Sequence, residues 1–230
     1  MEKEVFLEKL QAYHSPLVFN PWSEFDTSCD IGEAAPKMRS ANLLRYLEMR
    51  QQAHYLFIAE ALGYQGGHFS GIAITSERIL LGQHPDIAPE SVLGDWDYQR
   101  TSAADSPLLN RTQQLKGFNE PTDTVVWNAL NKHGLAARDV ILWNIFPFHP
   151  YKEGKLLSNR TPSKTELDQG IVFAKMLLEM VPGMQVVAIG QKAADTLQRY
   201  GVDCVAVPHP SMGGANRFKA AVADLFADKD

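Results

Sequence analysis

The sequence predicts an α/β fold, a three-layer α/β/α arrangement around a central four-stranded, mainly parallel sheet. Four short runs point to it: residues 54–59 (HYLFIA), 140–145 (VILWNI), 186–189 (VVAI) and 204–207 (CVAV). They are apolar on both faces, the pattern of parallel strands covered by helices on each side. The spacers between the later runs are helical in period, which is what parallel crossovers require. At 230 residues, 45% hydrophobic and 10% aromatic, the chain can bury a core without staples and is too apolar to be disordered.

Along the chain, residues 1–13 read as a short amphipathic helix with Val5, Phe6 and Leu10 on one side. Residues 15–37 read as irregular, broken by Pro16, Pro21, Gly32 and Pro36. Ser40 caps a predicted helix running to about Gln52, with Leu43, Leu44 and Leu47 as its buried stripe. After the first strand, the stretch 64–137 is expected to hold helices at about 107–116 and 122–133 among surface loops. Residues 161–181 show helical spacing through Leu167, Ile171, Phe173, Ala174, Leu177 and Leu178. Shorter helices are expected over 191–200 and 215–226. No linker divides the chain, so one domain is expected over 1–230, a core over about 53–227 with an N-terminal helical cover over 1–52.

Composition removes several function classes. Lys+Arg number 22 against Asp+Glu 27, a formal charge of −5, which argues against a broad nucleic-acid coat but leaves room for a local basic groove. Cys29 and Cys204 are too few for a cysteine-ligated zinc or iron–sulfur site. No His pair has H-x-x-x-H or H-E-x-x-H spacing, so no metal is expected. The Met1-Glu-Lys-Glu start lacks a signal-peptide pattern, and no apolar run approaches the ~18 residues of a membrane span. A soluble cytoplasmic protein with no membrane partner is the expectation.

Ligands of parallel sheets bind at the carboxyl ends of the strands, so chemistry is sought there. After the first strand comes Glu60-Ala-Leu-Gly-Tyr-Gln-Gly-Gly-His-Phe-Ser-Gly71, whose glycines allow close backbone approach to a ligand or serve a flexible crossover. It lacks both the closing Gly-Lys-Ser/Thr of a P-loop and the dinucleotide G-x-G-x-x-G. After the second comes Asn144-Ile-Phe-Pro-Phe-His-Pro150, in which an amide ends an apolar strand and offers a donor and an acceptor. After the fourth comes His209-Pro-Ser-Met-Gly-Gly-Ala-Asn-Arg217, an imidazole held between two prolines. Ser211 lies on no G-x-S-x-G elbow, so a Ser–His hydrolase is poorly supported.

In order and spacing these segments resemble the uracil-DNA glycosylase superfamily, over roughly residues 53–227. Glu60-Ala-Leu-Gly63 looks like its G-E-A-P-G motif, and Gly67-His-Phe-Ser-Gly71 like the following G-x-P-F-x-G. Asn144 with Asn159-Arg-Thr-Pro-Ser163 looks like the N-x-x-x-x-x-P-P…N-R-x-P segment, Val186-Val-Ala-Ile-Gly190 with Ala193-Ala194 like the third strand and helix, and His209-Pro-Ser211 like the last motif. The resemblance implies a DNA repair enzyme of base excision, a monofunctional hydrolase that flips a damaged base into a pocket and cleaves its N-glycosidic bond. It implies that Phe69 stacks on the base, Asn144 bonds its Watson–Crick edge, and His209 donates to the oxygen where negative charge develops. Ala61, Gly63, Tyr64 and Ser211 complete the substrate contacts. No cofactor is needed.

The departures carry expectations of their own. Ala59 and Leu62 replace a Gly and the Pro of the first motif. Ala61 stands where some members carry a water-activating Asp or Asn, leaving Glu60 as the nearest carboxylate and slow turnover as the expectation. Gly63 stands where strict uracil enzymes have a Tyr, so larger bases should be less well excluded, with Tyr64 compensating in part. The four cysteines of the iron–sulfur branch are absent.

DNA contact is expected through Arg160, Lys155, Arg217 and Asn216, the first two within a segment, 138–164, of net charge +3 (Arg138, Lys152, Lys155, Arg160 and Lys164 against Asp139 and Glu153). The expected partner is DNA containing a damaged base, bound by a monomer. Two alternatives stay open: a non-catalytic binder of a flipped or free base, and an unrelated α/β enzyme acting on a nucleotide.

Overall fold

A computed structural model describes residues 1–133, 135 and 138–227. The N-terminal part carries helix α1 (Lys3–Gln11), the two-residue strand β1 (Val18–Phe19) and helix α2 (Ala35–Glu48). Strand β2 (Tyr55–Ala61) leads into a crossover of helices α3 (Gly67–Ser70), α4 (Glu77–Leu80), α5 (Glu90–Leu93), α6 (Arg111–Lys116) and α7 (Pro121–Lys132). Strand β3 (Val140–Phe146) and the short β4 (His149–Pro150) follow. Helix α8 (Lys164–Met180), β5 (Gln185–Ile189), α9 (Gln191–Arg199), β6 (Val205–Val207) and α10 (Ala215–Phe226) complete the chain.

The four predicted runs form one parallel sheet in the order β3-β2-β5-β6, with helices on both faces. Every residue of β3 is buried although it is an edge strand. Two side chains close its free edge. The Leu142 N–H donates to the Tyr46 hydroxyl, and the buried Arg50 guanidinium donates from Nε to the Val140 carbonyl while stacking on the Tyr46 ring. An edge covered in this way offers no template for another strand. Phe6 of α1 packs on Trp143 of β3, so the N-terminal segment shares one apolar cluster with the strands.

Helix α8 starts where its sequence dictates. The Ser163 Oγ accepts from the Glu166 N–H and the Glu166 carboxylate accepts from the Ser163 N–H, a reciprocal capping box. Some boundaries move. Helix α2 begins at Ala35, with Pro36 in its first turn, where a missing N–H costs nothing. In α1 the buried side chains are Phe6, Leu7 and Leu10, while Val5 is exposed. The predicted 107–116 helix shortens to α6, which Asn110 caps. The irregular stretch hides β1, which pairs antiparallel with β4.

Chain connections run from β2 outward to β3 and from β5 outward to β6, so the order reverses between β2 and β5. That switch point is where a crevice opens beyond the carboxyl ends of the strands.

Candidate active site

A cavity of about 620 Å³ lies at that switch point. Its walls are the end of β2 (Ala59 to Gly63), Ile74, the start of α7 (Glu120, Thr122), Asn144, the 159–162 loop, the β5–α9 turn and the segment His209 to Met212. Four loops distant in sequence thus converge on one space. Of the expected residues it holds His209, Asn144, Glu60, Ala61, Gly63, Ser211 and Arg160.

Asn144 is 2% exposed and its Oδ1 has no hydrogen-bond partner among the described residues. A buried amide oxygen left unpaired costs roughly 1–3 kcal/mol, so an N–H group of a ligand is the natural complement.

His209 is placed by backbone. Gly190, at φ +92°, ends β5, and a Cβ there would meet the His209 Cβ at 3.1 Å, so the glycine gives the imidazole its room. The Ser211 N–H donates to His209 Nδ1 at 3.1 Å, and the Ser211 hydroxyl lies 2.8 Å from the same nitrogen. Nδ1 is therefore an acceptor. The walls around the ring desolvate it and hold its pKa below the usual histidine range, so it is neutral at pH 7. A neutral imidazole with Nδ1 accepting carries its proton on Nε2. Ser211 fixes this tautomer.

Glu60 lines the cavity but pairs with Lys192 at 3.7 Å. Glu120 is different. This half-buried carboxyl has no ion-pair or hydrogen-bond partner among the described residues, and burial, aided by Asp123, pushes its pKa up to about 8.

Two expected residues, Phe69 and Tyr64, lie away from the cavity, and a third, Arg160, is engaged within the protein. Phe69 does not line the cavity. Its ring is fully buried and stacked on Phe118 at 4.2 Å, in a satellite cluster with Cys29 and Leu109. Ile74 lines the cavity instead, in a Gly-x-x-apolar frame (Gly71-Ile-Ala-Ile74) five residues further on. It sits at φ +51°, a strained conformation for a β-branched residue, and its carbonyl accepts from the buried Trp127 Nε1. Tyr64 also turns away, edge-on to Phe118, while its N–H donates to the Asn159 Oδ1. The Asn159 amide lies about 3.5 Å from where a Gly63 Cβ would be, so it occupies the wall that Tyr64 was expected to form. Arg160 reaches the cavity, but its guanidinium grips the Glu166 carboxylate through two bonds of 2.6 and 2.8 Å and donates to the Tyr151 and Leu17 carbonyls. Its charge is neutralised and it braces the loop.

Lys155 lines a neighbouring cleft with Leu17, Tyr151 and Leu156 rather than this cavity. Asn216 and Arg217 stand exposed in the first turn of α10, after the His209 segment. The sequence gives no role to Ile74 or Glu120, and it places Asn159 and Met212 in motif segments without assigning either a contact. Met212 is fully exposed at the mouth, on backbone at φ +51°. Among the described residues, Cys29, Asp30 and His68 bring ligand-type atoms within 4.8 Å of one another. None lines the cavity, and the Asp30 carboxylate is already held by the buried Arg39 guanidinium.

A family model for the uracil DNA glycosylase superfamily matches residues 72–228. The chain belongs to that superfamily. No curated protein matches the chain. Among solved structures, the crystal structure of wild-type Pedobacter heparinus SMUG2 is similar, with a TM-score of 0.55 at 15% identity, covering 97% of this chain and 94% of that one. At that identity the likeness is one of fold, and it takes in the N-terminal segment that precedes the matched residues.

Proposed function

We propose that the protein is a DNA glycosylase that hydrolyses the N-glycosidic bond of uracil or a related deaminated base flipped into the cavity. One juxtaposition carries the reading. A single cavity holds a buried amide oxygen with no partner among the described residues, Asn144 Oδ1, and a neutral imidazole whose tautomer puts its proton on Nε2, His209. The first complements an imide or lactam N–H on the base edge. The second donates where negative charge gathers as the C1′–N bond breaks, without first giving up a proton. Preorganised donors of this kind contribute about 3–4 kcal/mol to such a step.

The base is held between aliphatic walls at Ile74 and Ile189, with Asn159 beside Gly63. Ile74 provides a flat contact without the stacking of an aromatic ring, which fits weaker discrimination among bases. The duplex lies over the mouth, where Met212 is the apolar wedge that enters the space the base vacates. Lys192, Asn216 and Arg217 are the exposed polar groups that meet the backbone there.

The test is base release from labelled oligonucleotides carrying uracil, hypoxanthine, xanthine or a G·T mismatch, single- and double-stranded, cut with alkali at abasic sites. Alkali-dependent strand breaks are expected with at least one deaminated base. Breaks with none, from folded protein, would overturn the reading in favour of a base-binding protein.

A further inference from the structure

The first motif of this chain has no side chain to activate water, because Ala61 stands at that position and Glu60 is paired with Lys192. The titratable and charged groups that line the cavity are Glu60, Glu120, Arg160, Lys192 and His209. Arg160 is committed to Glu166, and His209 Nδ1 to Ser211. Glu120 is the one carboxylate among them without a counter-ion in the described residues. It is supplied by α7, from the crossover, and not by any strand end.

Its position is built. Glu120 is the residue before Pro121 at the start of α7, so the proline fixes the chain just after it. On the other side the carboxyl rests against Gly66. A Cβ on that glycine would lie 1.9 Å from Glu120 Oε2, so any other residue there would push the carboxyl away. Burial of a carboxyl with no partner is unfavourable for the fold, and such a cost is more readily kept for chemistry than for packing.

We propose that Glu120 is the catalytic base of this site, accepting the proton of the water that attacks C1′. This rests on the glycosylase reading above. In the step, the water oxygen bonds to C1′ and the C1′–N bond breaks with its electron pair moving to the base. The base oxygen accepts a hydrogen bond from His209 Nε2–H, and the water proton passes to a Glu120 carboxylate oxygen. That proton then leaves to solvent or to the departing base, so no further reactant is needed. Asp123, one turn along α7, is the like charge that adds to this shift, and its carboxylate is turned to the Ser76 N–H. Burial raises the Glu120 pKa to about 8, close to the working pH that suits a general base.

The experiment is single-turnover release of the base found to be cleaved, with the full chain, for wild type, E120Q, E120D and G66A, across pH 6 to 9.5. The wild-type rate should rise about tenfold per pH unit and bend near 8. E120Q should fall about 10²–10⁴-fold with a flat profile and with affinity for abasic-site DNA within about twofold of wild type. E120D should recover part of the rate. G66A, which leaves Glu120 in the sequence but displaces its carboxyl, should lose rate in the same way. E120A should be partly rescued by formate. Melting separates this from a packing role, since E120Q should melt at or above the wild-type temperature at pH 9, where the buried carboxylate is ionised. An E120Q rate within about threefold of wild type, or the same pH bend in both, would overturn the assignment. Absence of base release by the wild type itself would instead sink the glycosylase reading.

Discussion

At Asn144 one atom decides the outcome. The side chain is buried at the end of β3, its Oδ1 has no hydrogen-bond partner among the described residues, and the proposed reading gives it a ligand N–H. Replacing the amide by a carboxylate removes the Nδ2 donor and leaves only acceptors. Asn144→Asp should therefore lower release of a lactam base by about 10²-fold or more and shift preference toward bases that present an exocyclic amine. The base profile from the oligonucleotide panel reads this out directly, and an unchanged profile would make Asn144 a structural residue. At the same scale, Ile74 explains why the aromatic at position 69 is misleading in the sequence. Two Gly-x-x-apolar frames, Gly66 to Phe69 and Gly71 to Ile74, lie five residues apart, and only Phe118, some fifty positions away, shows that the ring at 69 is taken into a satellite cluster. Glu120 is equally silent, since nothing in Asn119-Glu-Pro-Thr122 announces that it faces a cavity formed by strands elsewhere.

Between elements, the small β1–β4 ladder ties the N-terminal segment to the site through a histidine pair. The His149 Nε2 lies 2.8 Å from the Ser158 carbonyl and must carry the proton there, so His149 Nδ1 accepts from His68 Nδ1–H at 2.9 Å. Phe19 of β1 stacks on the His68 ring at 4.0 Å. Both imidazoles are buried and neutral. Burial lowers His149 to about 4 and His68 well below its usual value. Folded pKa values below the unfolded value of about 6.5 mean that the unfolded chain takes up the protons as pH falls. Stability is thus full above about pH 6.5 and is lost between there and pH 4, with His149 alone contributing about 3 kcal/mol. Urea unfolding at pH 7 and pH 4.5 checks this, and equal midpoints would contradict it. Helices and strands were largely legible in the sequence because continuous apolar runs and capping residues are local signals. The β1–β4 pair was not, because two residues paired across more than a hundred positions leave no periodicity.

For the molecule as a whole, the charge is −5, yet the reading requires it to hold a polyanion. Of the expected contacts, Arg160 is neutralised by Glu166, while Asn216 and Arg217 are exposed in the first turn of α10. The strand-end rule leads to the cavity because parallel topology forces the loops to one edge. It could not say which charges are free there, since that depends on partners such as Glu166. Met212 belongs to this scale, because a wedge matters only when there is a stack to fill. Met212→Ala should slow release from duplex substrate about tenfold or more and leave single-strand substrate within about twofold. Equal effects on both would remove the wedge role.

The superfamily fold, the cavity and the fixed tautomer of His209 meet in one claim: a neutral imidazole donates from Nε2 to the departing base. The most direct measurement is single-turnover base release beside DNA affinity for His209→Ala. The account predicts a loss of about 10²–10³-fold in rate, with affinity for abasic-site DNA within about twofold of wild type. Rate and affinity falling together by the same factor, or a rate left intact, would contradict it.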